Sequence, residues 1–416
     1  MSVKTLQTLL CSIGVLIIIG RYKYSLPEPI TKPVPISLQS EVIEFPHTKN
    51  TSQIIKLNNQ IMIITAPYPQ YHFGDLLQIK GTINEKRIIM RPEIVKVGEQ
   101  PHFFLNLLFS VRNKFEKTLE QYLPSDSAAL AEGMLLGTTK QFSDEIDEAF
   151  SRTGTMHMIV VSGFNITLVA TGILKLAGLI PRRIAIIFAI IGTITFVLLT
   201  GAQPPAVRAG MMAGVLLIGQ FYGRPTDTLR ALGVTVVLLL IHSPLLLESL
   251  SFQLSCASTL GILLLNPIFN KSSVKVIPKW RKYVKGEIGT SLSAQAAVTP
   301  LILNTFGSLS LIAPVTNLAV SWSVPYIMIV TLILCLAELI YPLLAKLMSF
   351  VLYPITAFFL HTILLFSRVP LAALENIQIN WYILGGIYLL LAFVIAKNSD
   401  QKRYSIEVFN EREENE

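Results

Sequence analysis

Between residues 156 and 396 the chain is an almost continuous series of apolar segments, and that series decides what it can fold into. Backbone N–H and C=O groups find no water in hydrocarbon, so such a chain must close its hydrogen bonds inside helices or a closed barrel. Segments at 156–180, 184–200, 204–221, 229–247, 251–268, 288–306, 312–340, 346–367 and 380–396 approach the roughly 20 residues that cross a bilayer. With a further apolar run at 6–20 they predict about ten spans. The 312–340 stretch exceeds one pass and is expected to be broken or tilted.

Composition agrees. Hydrophobic residues make up 52% of the chain and charged residues 14%, against roughly 25% charged in soluble domains, and the mean hydropathy is +0.56. A net charge of +8 suits a nucleic-acid partner, but polytopic proteins collect Lys and Arg in cytoplasmic loops for orientation alone. Cys11, Cys256 and Cys335 all lie in apolar segments, which gives neither a disulfide framework nor a thiolate metal site.

Residues 6–20 resemble a signal-peptide core, with Lys4 before them and Arg21 and Lys23 after. No small-x-small cleavage site follows, so residues 1–24 are read as a retained membrane anchor. Residues 25–100 are polar, with alternating runs at 53–57, 60–65, 75–83 and 87–97 bounded by Asn, Pro and Gly. That period predicts strands of a small β domain, a barrel or sandwich, of which the five-stranded oligonucleotide-binding type is one form. Residues 101–155 read as amphipathic linker helices: one at 103–122 expected to lie on the membrane surface, one at 127–136, and one beginning near Ser143.

Basic residues set the orientation. Arg182, Arg183, Arg224, Arg230, the 271–285 stretch, Lys346 and the 397–403 stretch share one side if the spans alternate. That side is cytoplasmic. Both termini are therefore expected inside, with 397–416 as a cytoplasmic tail, and the β domain outside. The 271–285 loop, with Trp280 and Tyr283 among its cations, combines phosphate-neutralising and base-stacking types, but the positive-inside rule and an interfacial aromatic belt give the same mixture.

Two polar motifs interrupt the apolar run: Met-His-Met-Ile-Val-Val-Ser-Gly-Phe-Asn at 156–165 and Gly-Ala-Gln-Pro-Pro-Ala-Val-Arg-Ala-Gly at 201–210. Polar groups and helix breaks at membrane depth are costly unless buried in protein or facing water. A helix broken at Ser162-Gly163 would free backbone groups to line a cavity with Asn165 and His157; His157 equally fits an interfacial position. Arg208 follows Pro204-Pro205 by about one turn and either snorkels outward or faces the bundle interior. Gly210 and Gly214 allow close helix packing. Gln253 and Ser255 in one span, and Gln295 in another, repeat the pattern; interhelical hydrogen bonding explains each glutamine alone, and a shared polar interior explains them together. Glu338 either pairs with a basic group or is protonated.

Ser162 before Gly163 invites a membrane-embedded hydrolase reading. The chain has no Gly two residues before Ser162, and His242 and His361 lack a diagnostic spacing. No catalytic residue, metal site or cofactor is expected.

The ordered motifs resemble the ComEC family of competence DNA-internalisation channels. They run through Gly137, Glu148-Ala149-Phe150, Gly154, His157, Ser162-Gly163, Pro205 and Arg208, then 251–255, Gln295 to Pro300, Phe306-Gly307 and Asn317. Asn165 stands where many relatives carry a second histidine. The resemblance implies a polytopic α-helical membrane protein of about ten spans, with an extracytoplasmic domain like the oligonucleotide-binding fold and a competence-type membrane domain at 156–396. It also implies a metallo-β-lactamase-like nuclease in many relatives, which this sequence is expected to lack, having no His-x-His-x-Asp-His pattern. The implied activity is passage of single-stranded DNA across the cytoplasmic membrane during natural transformation. His157, Ser162, Gly163, Asn165, Pro205, Arg208, Gln253, Ser255 and Gln295 would line the path. Implied partners are single-stranded DNA, the lipid bilayer, a separate nuclease, a cytoplasmic motor protein and further copies of the chain. The alternative is a secondary transporter of another anionic or polymeric substrate, built on the same broken helices.

Overall fold

The structure, a computed structural model, describes residues 34–42 and, with short gaps, 47–269 and 279–391, together with Ile18, Arg21, Tyr22 and a few positions up to 397. Most of the expected 1–24 anchor, residues 270–278 and nearly all of the expected tail lie outside the described residues.

Seven strands form one sheet: β1 (Val34–Glu41), β2 (His47–Lys49), β3 (Ser52–Lys56), β4 (Met62–Thr65), β5 (Asp75–Ile83), β6 (Ile88–Met90) and β7 (Glu93–Glu99). Their order is β1-β5-β6-β4-β3-β2, with β7 also on β5. All pairings are antiparallel except β4 with β6. A bridge from Val42 to Leu57 joins the ends of β1 and β3, so the path β1-β5-β6-β4-β3 returns on itself. Alternation along β5 buries Leu77, Ile79 and Ile83 with Val42, Ile55, Leu57, Ile63 and Ile89. Gly81 on the same strand is required by space: a Cβ there would lie 2.6 Å from Ile89 Cγ2. The expected strand at 87–97 is two, β6 and β7, split at Arg91, whose φ is 47°. β1 and β2 had no clear signal: β1 is half-exposed and contains Pro35.

Thirteen helices of the described residues follow: α1 (Phe103–Tyr122), α2 (Ser125–Leu136), α3 (Asp144–Thr153), α4 (Gly163–Leu176), α5 (Arg182–Leu199), α6 (Pro204–Phe221), α7 (Thr228–His242), α8 (Leu250–Phe269), α9 (Lys279–Phe306), α10 (Ala313–Ser321), α11 (Ser323–Ile340), α12 (Pro342–Ser367) and α13 (Tyr382–Leu391). Among the described residues five segments are long and apolar enough to cross a membrane: Met156–Leu176, Arg182–Leu199, Leu250–Phe269, Ser323–Ile340 and Pro342–Ser367. α7 and α13 are apolar but shorter. α6 and α9 have the length but carry charged and polar groups, Arg208 in one and Lys285, Glu287 and Gln295 in the other. The long 312–340 segment is divided at Trp322 into α10 and α11.

The chain forms two compact units. The first comprises Met1–Glu148, Met156–Glu248 and Ser323–His361; the second comprises Ala149–Thr155, Ser249–Trp322 and Thr362–Glu416. In the first, α4, α5 and α6 pack around Ala170, Ile186, Ala189 and Leu217. There α1 differs from expectation. Its apolar face, with Leu108, Phe115 and Leu119 buried, is covered by α2, α5 and α11 rather than left for a membrane surface, and Arg112 is only 3% exposed. In the second unit α8 packs on α9. Gly261 allows the approach, because a Cβ there would lie 2.5 Å from both Ala297 Cβ and the Ser293 carbonyl oxygen.

Candidate polar path through the helical units

The break expected at Ser162-Gly163 is present. A 3-10 turn at Met156–Met158 precedes it, and α4 begins at Gly163 with Ser162 as its extended N-cap. The Ser162 carbonyl accepts from the amides of Asn165 and Ile166, at 3.1 and 3.3 Å. Its hydroxyl donates to Asn165 Oδ1 at 3.3 Å. Asn165, buried, donates through Nδ2 to the Met134 carbonyl at 3.1 Å. The last carbonyls of a helix have no partner within it, so Asn165 closes the end of α2.

The second motif lies close by in the same unit. Gly201 and Ala202, with φ of 80° and 49°, turn the chain from α5 into α6. Pro204 and Pro205 open α6 at positions where a missing N–H breaks no helical bond. Gln203 donates through Nε2 to the carbonyl of Gly137, the left-handed C-cap of α2. A Cβ on Gly137 would lie 3.2 Å from both the Thr200 carbonyl oxygen and Val161 Cγ2, so a bulkier residue would disturb this corner. Gly163 faces α6, where its Cβ would be 3.8 Å from that of Ala209. The neighbouring Arg208 is 4% exposed, which selects the interior reading over snorkelling. His157 is exposed on the 3-10 turn.

Charged residues missed in the sequence surround this corner. Arg112 donates to the Leu199 carbonyl at 2.7 Å and pairs with Glu116 at 3.0 Å. Glu132, fully buried on α2, has its Oε2 2.7 Å from Lys140 Nζ, and Lys140 also pairs with Glu120. Burial pushes the Glu132 carboxyl up to about 7 despite the lysine. One signal was available: Glu132 is the lone charge in the otherwise apolar 128–136 run.

The second unit holds its own polar seam. Glu287, Ser291 and Gln295 recur every four residues on α9 and so share a face. Glu287 Oε2 accepts from Ser321 at 3.4 Å, Ser291 Oγ accepts from Asn317 Nδ2 at 3.0 Å, and Gln295 Nε2 donates to the Ser310 carbonyl at 2.8 Å. Gln253 and Ser255 lie half-buried in the first turns of α8. Gly154, with φ of 66°, sits where a Cβ would lie 2.9 Å from that of Ser310. The nine residues singled out in the sequence thus divide six to three between the units.

The arrangement does not favour acyl transfer. Ser162 bonds an amide oxygen, and His361 Nδ1 is 2.7 Å from the Ala357 carbonyl of its own helix. Among the described residues no group of His, Cys, Asp and Glu could hold a metal ion.

The chain is 27% identical over 225 residues to ComE operon protein 3 of Bacillus subtilis (strain 168), a match covering 53% of this chain and 27% of that protein. It is 30% identical over 151 residues to an uncharacterized protein of Aquifex aeolicus (strain VF5), covering 36% of each. The matches thus span about a quarter to a third of these relatives' lengths. No solved structure matches. Residues 134–400 match the family model described as Competence protein. Matched over more than half its length, the chain belongs to the competence protein family.

Proposed function

We propose that this protein is the channel subunit through which single-stranded DNA crosses the cytoplasmic membrane during natural transformation. Family membership gives the coarser role, DNA uptake during competence. The observation that carries the finer reading is Arg208, a cation buried to 4% exposure beside the broken start of α4. A buried cation beside freed backbone groups is what a polyanion requires along a path through apolar helices. Ser162, Gly163, Asn165 and Pro205 shape that wall in the first unit, and Gln253, Ser255 and Gln295 contribute polar groups in the second. His157 belongs to the mouth. The β domain, whose five-strand path returns on itself through Val42 and Leu57, supports the oligonucleotide-binding form on the outer side. A nuclease, a motor protein and further copies of the chain are proposed partners.

The test is uptake of labelled DNA into a nuclease-protected compartment, in cells with the native chain and in cells with the gene deleted. Loss on deletion, restored by the chain, is expected. Unchanged uptake on deletion would move the role to another anionic or polymeric substrate.

A further inference from the structure

At the end of α6 the first unit carries an open groove of about 510 Å³ lined by Val215, Ile218, Gly219, Tyr222 and Arg224. Val215, Ile218, Gly219 and Tyr222 recur at helical spacing, so the lining changes along one stripe from aliphatic to aromatic to cationic. The cationic end is fixed by the backbone. The Arg224 amide donates to the Gly219 carbonyl at 2.8 Å, and that of Gly223, whose φ is 68°, donates to Gln220 at 3.1 Å. This pair of bonds closes the helix with a left-handed residue and returns Arg224 over the groove it lines. Tyr222 stacks edge-to-face on Phe221, with ring centroids 5.4 Å apart.

The surroundings identify the occupant. α5 and α6 pack with Ile186 and Ile190 against Leu217 and Phe221, so the start of α5 and the end of α6 share one end of the unit. Lys175, Arg182, Arg183 and Arg230 lie at or near that end with Arg224, and Asp227 is the acid in the α6–α7 turn, where its side chain caps α7. This surplus offsets the negative pole of the α6 dipole, which by itself disfavours an anion. Leu176, Ile180 and Ile218 are exposed around it, and Tyr222 is 72% exposed. Exposed aliphatic side chains suit acyl chains; a nucleic-acid strand needs a cationic groove that tracks its backbone, whereas this lining is aliphatic along Val215 and Ile218 and cationic at Arg224.

We propose that this groove binds one anionic phospholipid, its acyl chain along Val215 and Ile218, its glycerol level with Tyr222 and its phosphate at Arg224. Basic pockets at helix ends take such headgroups. The site uses none of the path residues, lying two turns beyond Arg208 on the same face of α6.

The test uses the purified full chain in a zwitterionic detergent, titrated with short-chain phosphatidylglycerol and, separately, phosphatidylcholine of the same chains, with bound lipid counted by native mass spectrometry. Phosphatidylglycerol is expected to bind at least several-fold more tightly than phosphatidylcholine. Arg224→Gln should abolish that preference and Arg224→Lys should keep most of it. Both changes are at an exposed position, and a circular-dichroism spectrum checks that the helices are intact. Equal retention of the two lipids, an Arg224→Gln chain with undiminished preference, or displacement of the lipid by a single-stranded oligonucleotide would each overturn the assignment.

Discussion

Asn165, on the first turn of α4, donates through Nδ2 to the Met134 carbonyl on the last turn of α2, 3.1 Å away. The same side chain accepts from Ser162 at 3.3 Å. Donor and acceptor are both in use, so an aspartate of the same shape cannot replace the amide. Asn165→Asp and Asn165→Ala are each expected to destabilise the chain by about 1–3 kcal/mol, the cost of leaving a buried partner unsatisfied. Thermal unfolding in detergent measures this; an Asn165→Asp chain as stable as the native one would show the bond to be dispensable.

Arg208 is buried where its charge acts without bulk-water screening. Replacement by alanine should lower DNA uptake by about tenfold or more, the scale of one charge-assisted contact. Arg208→Lys should retain part of the uptake, because lysine keeps the charge without the fork. Protein level in the membrane must be measured alongside. A purely structural arginine would lower level and uptake together.

Glu132 makes stability depend on pH. Its folded-state carboxyl titrates at about 7 instead of 4.5, so the folded chain holds the proton more tightly than the unfolded one. The stabilisation is complete below about 4.5 and is lost as pH rises to about 7. Lys140 softens the change, and the like charges of Glu116 and Glu120 add to it. Glu132→Gln removes this titration, so the difference in melting temperature between variant and native chain should shift in favour of the variant as pH rises from about 4.5 to about 7. A difference independent of pH would exclude the titration.

Gly261 should tolerate no branch. Any Cβ meets Ala297 Cβ and the Ser293 carbonyl oxygen at 2.5 Å, and backbone does not yield as a side-chain tip does. Gly261→Val is expected to separate α8 from α9 and cost several kcal/mol, on the order of an overpacked core. Protease sensitivity of the 249–306 segment would report it.

The sequence disclosed best those features that depend on local chemistry. Alternation marked β5, and Ser162-Gly163 marked the break before α4, because glycine and a short hydroxyl inside an apolar run have few other uses. Arg208 was visible as a charge among apolar neighbours, although its direction was not. β1 was hidden by its half-exposed alternation and Pro35. Arg112 looked like a surface charge, and only the packing of α2, α5 and α11 around α1 reveals it as buried. The α9–α10 seam was invisible as a whole, because its pairs join residues 15 to 34 positions apart.

Tyr122, at the end of α1, donates to Glu338 at the end of α11 over 3.0 Å, and both lie in the first unit. This bond bears on the alternating scheme at one point. That scheme keeps the linker helices outside and carries 312–340 inward in one pass, which would separate Tyr122 from Glu338 by the membrane. The division into α10 and α11 at Trp322 removes the conflict, since α11 no longer continues α10 as a single crossing. Residues after Ile340 should then be accessible from the same side as the α1–α2 turn. Single cysteines at Lys346 and at Glu120, in chains with native cysteines replaced, are expected to react with a membrane-impermeant maleimide from one side of the membrane. Labelling of the two from opposite faces would restore the single-pass reading and place the Tyr122–Glu338 bond in doubt.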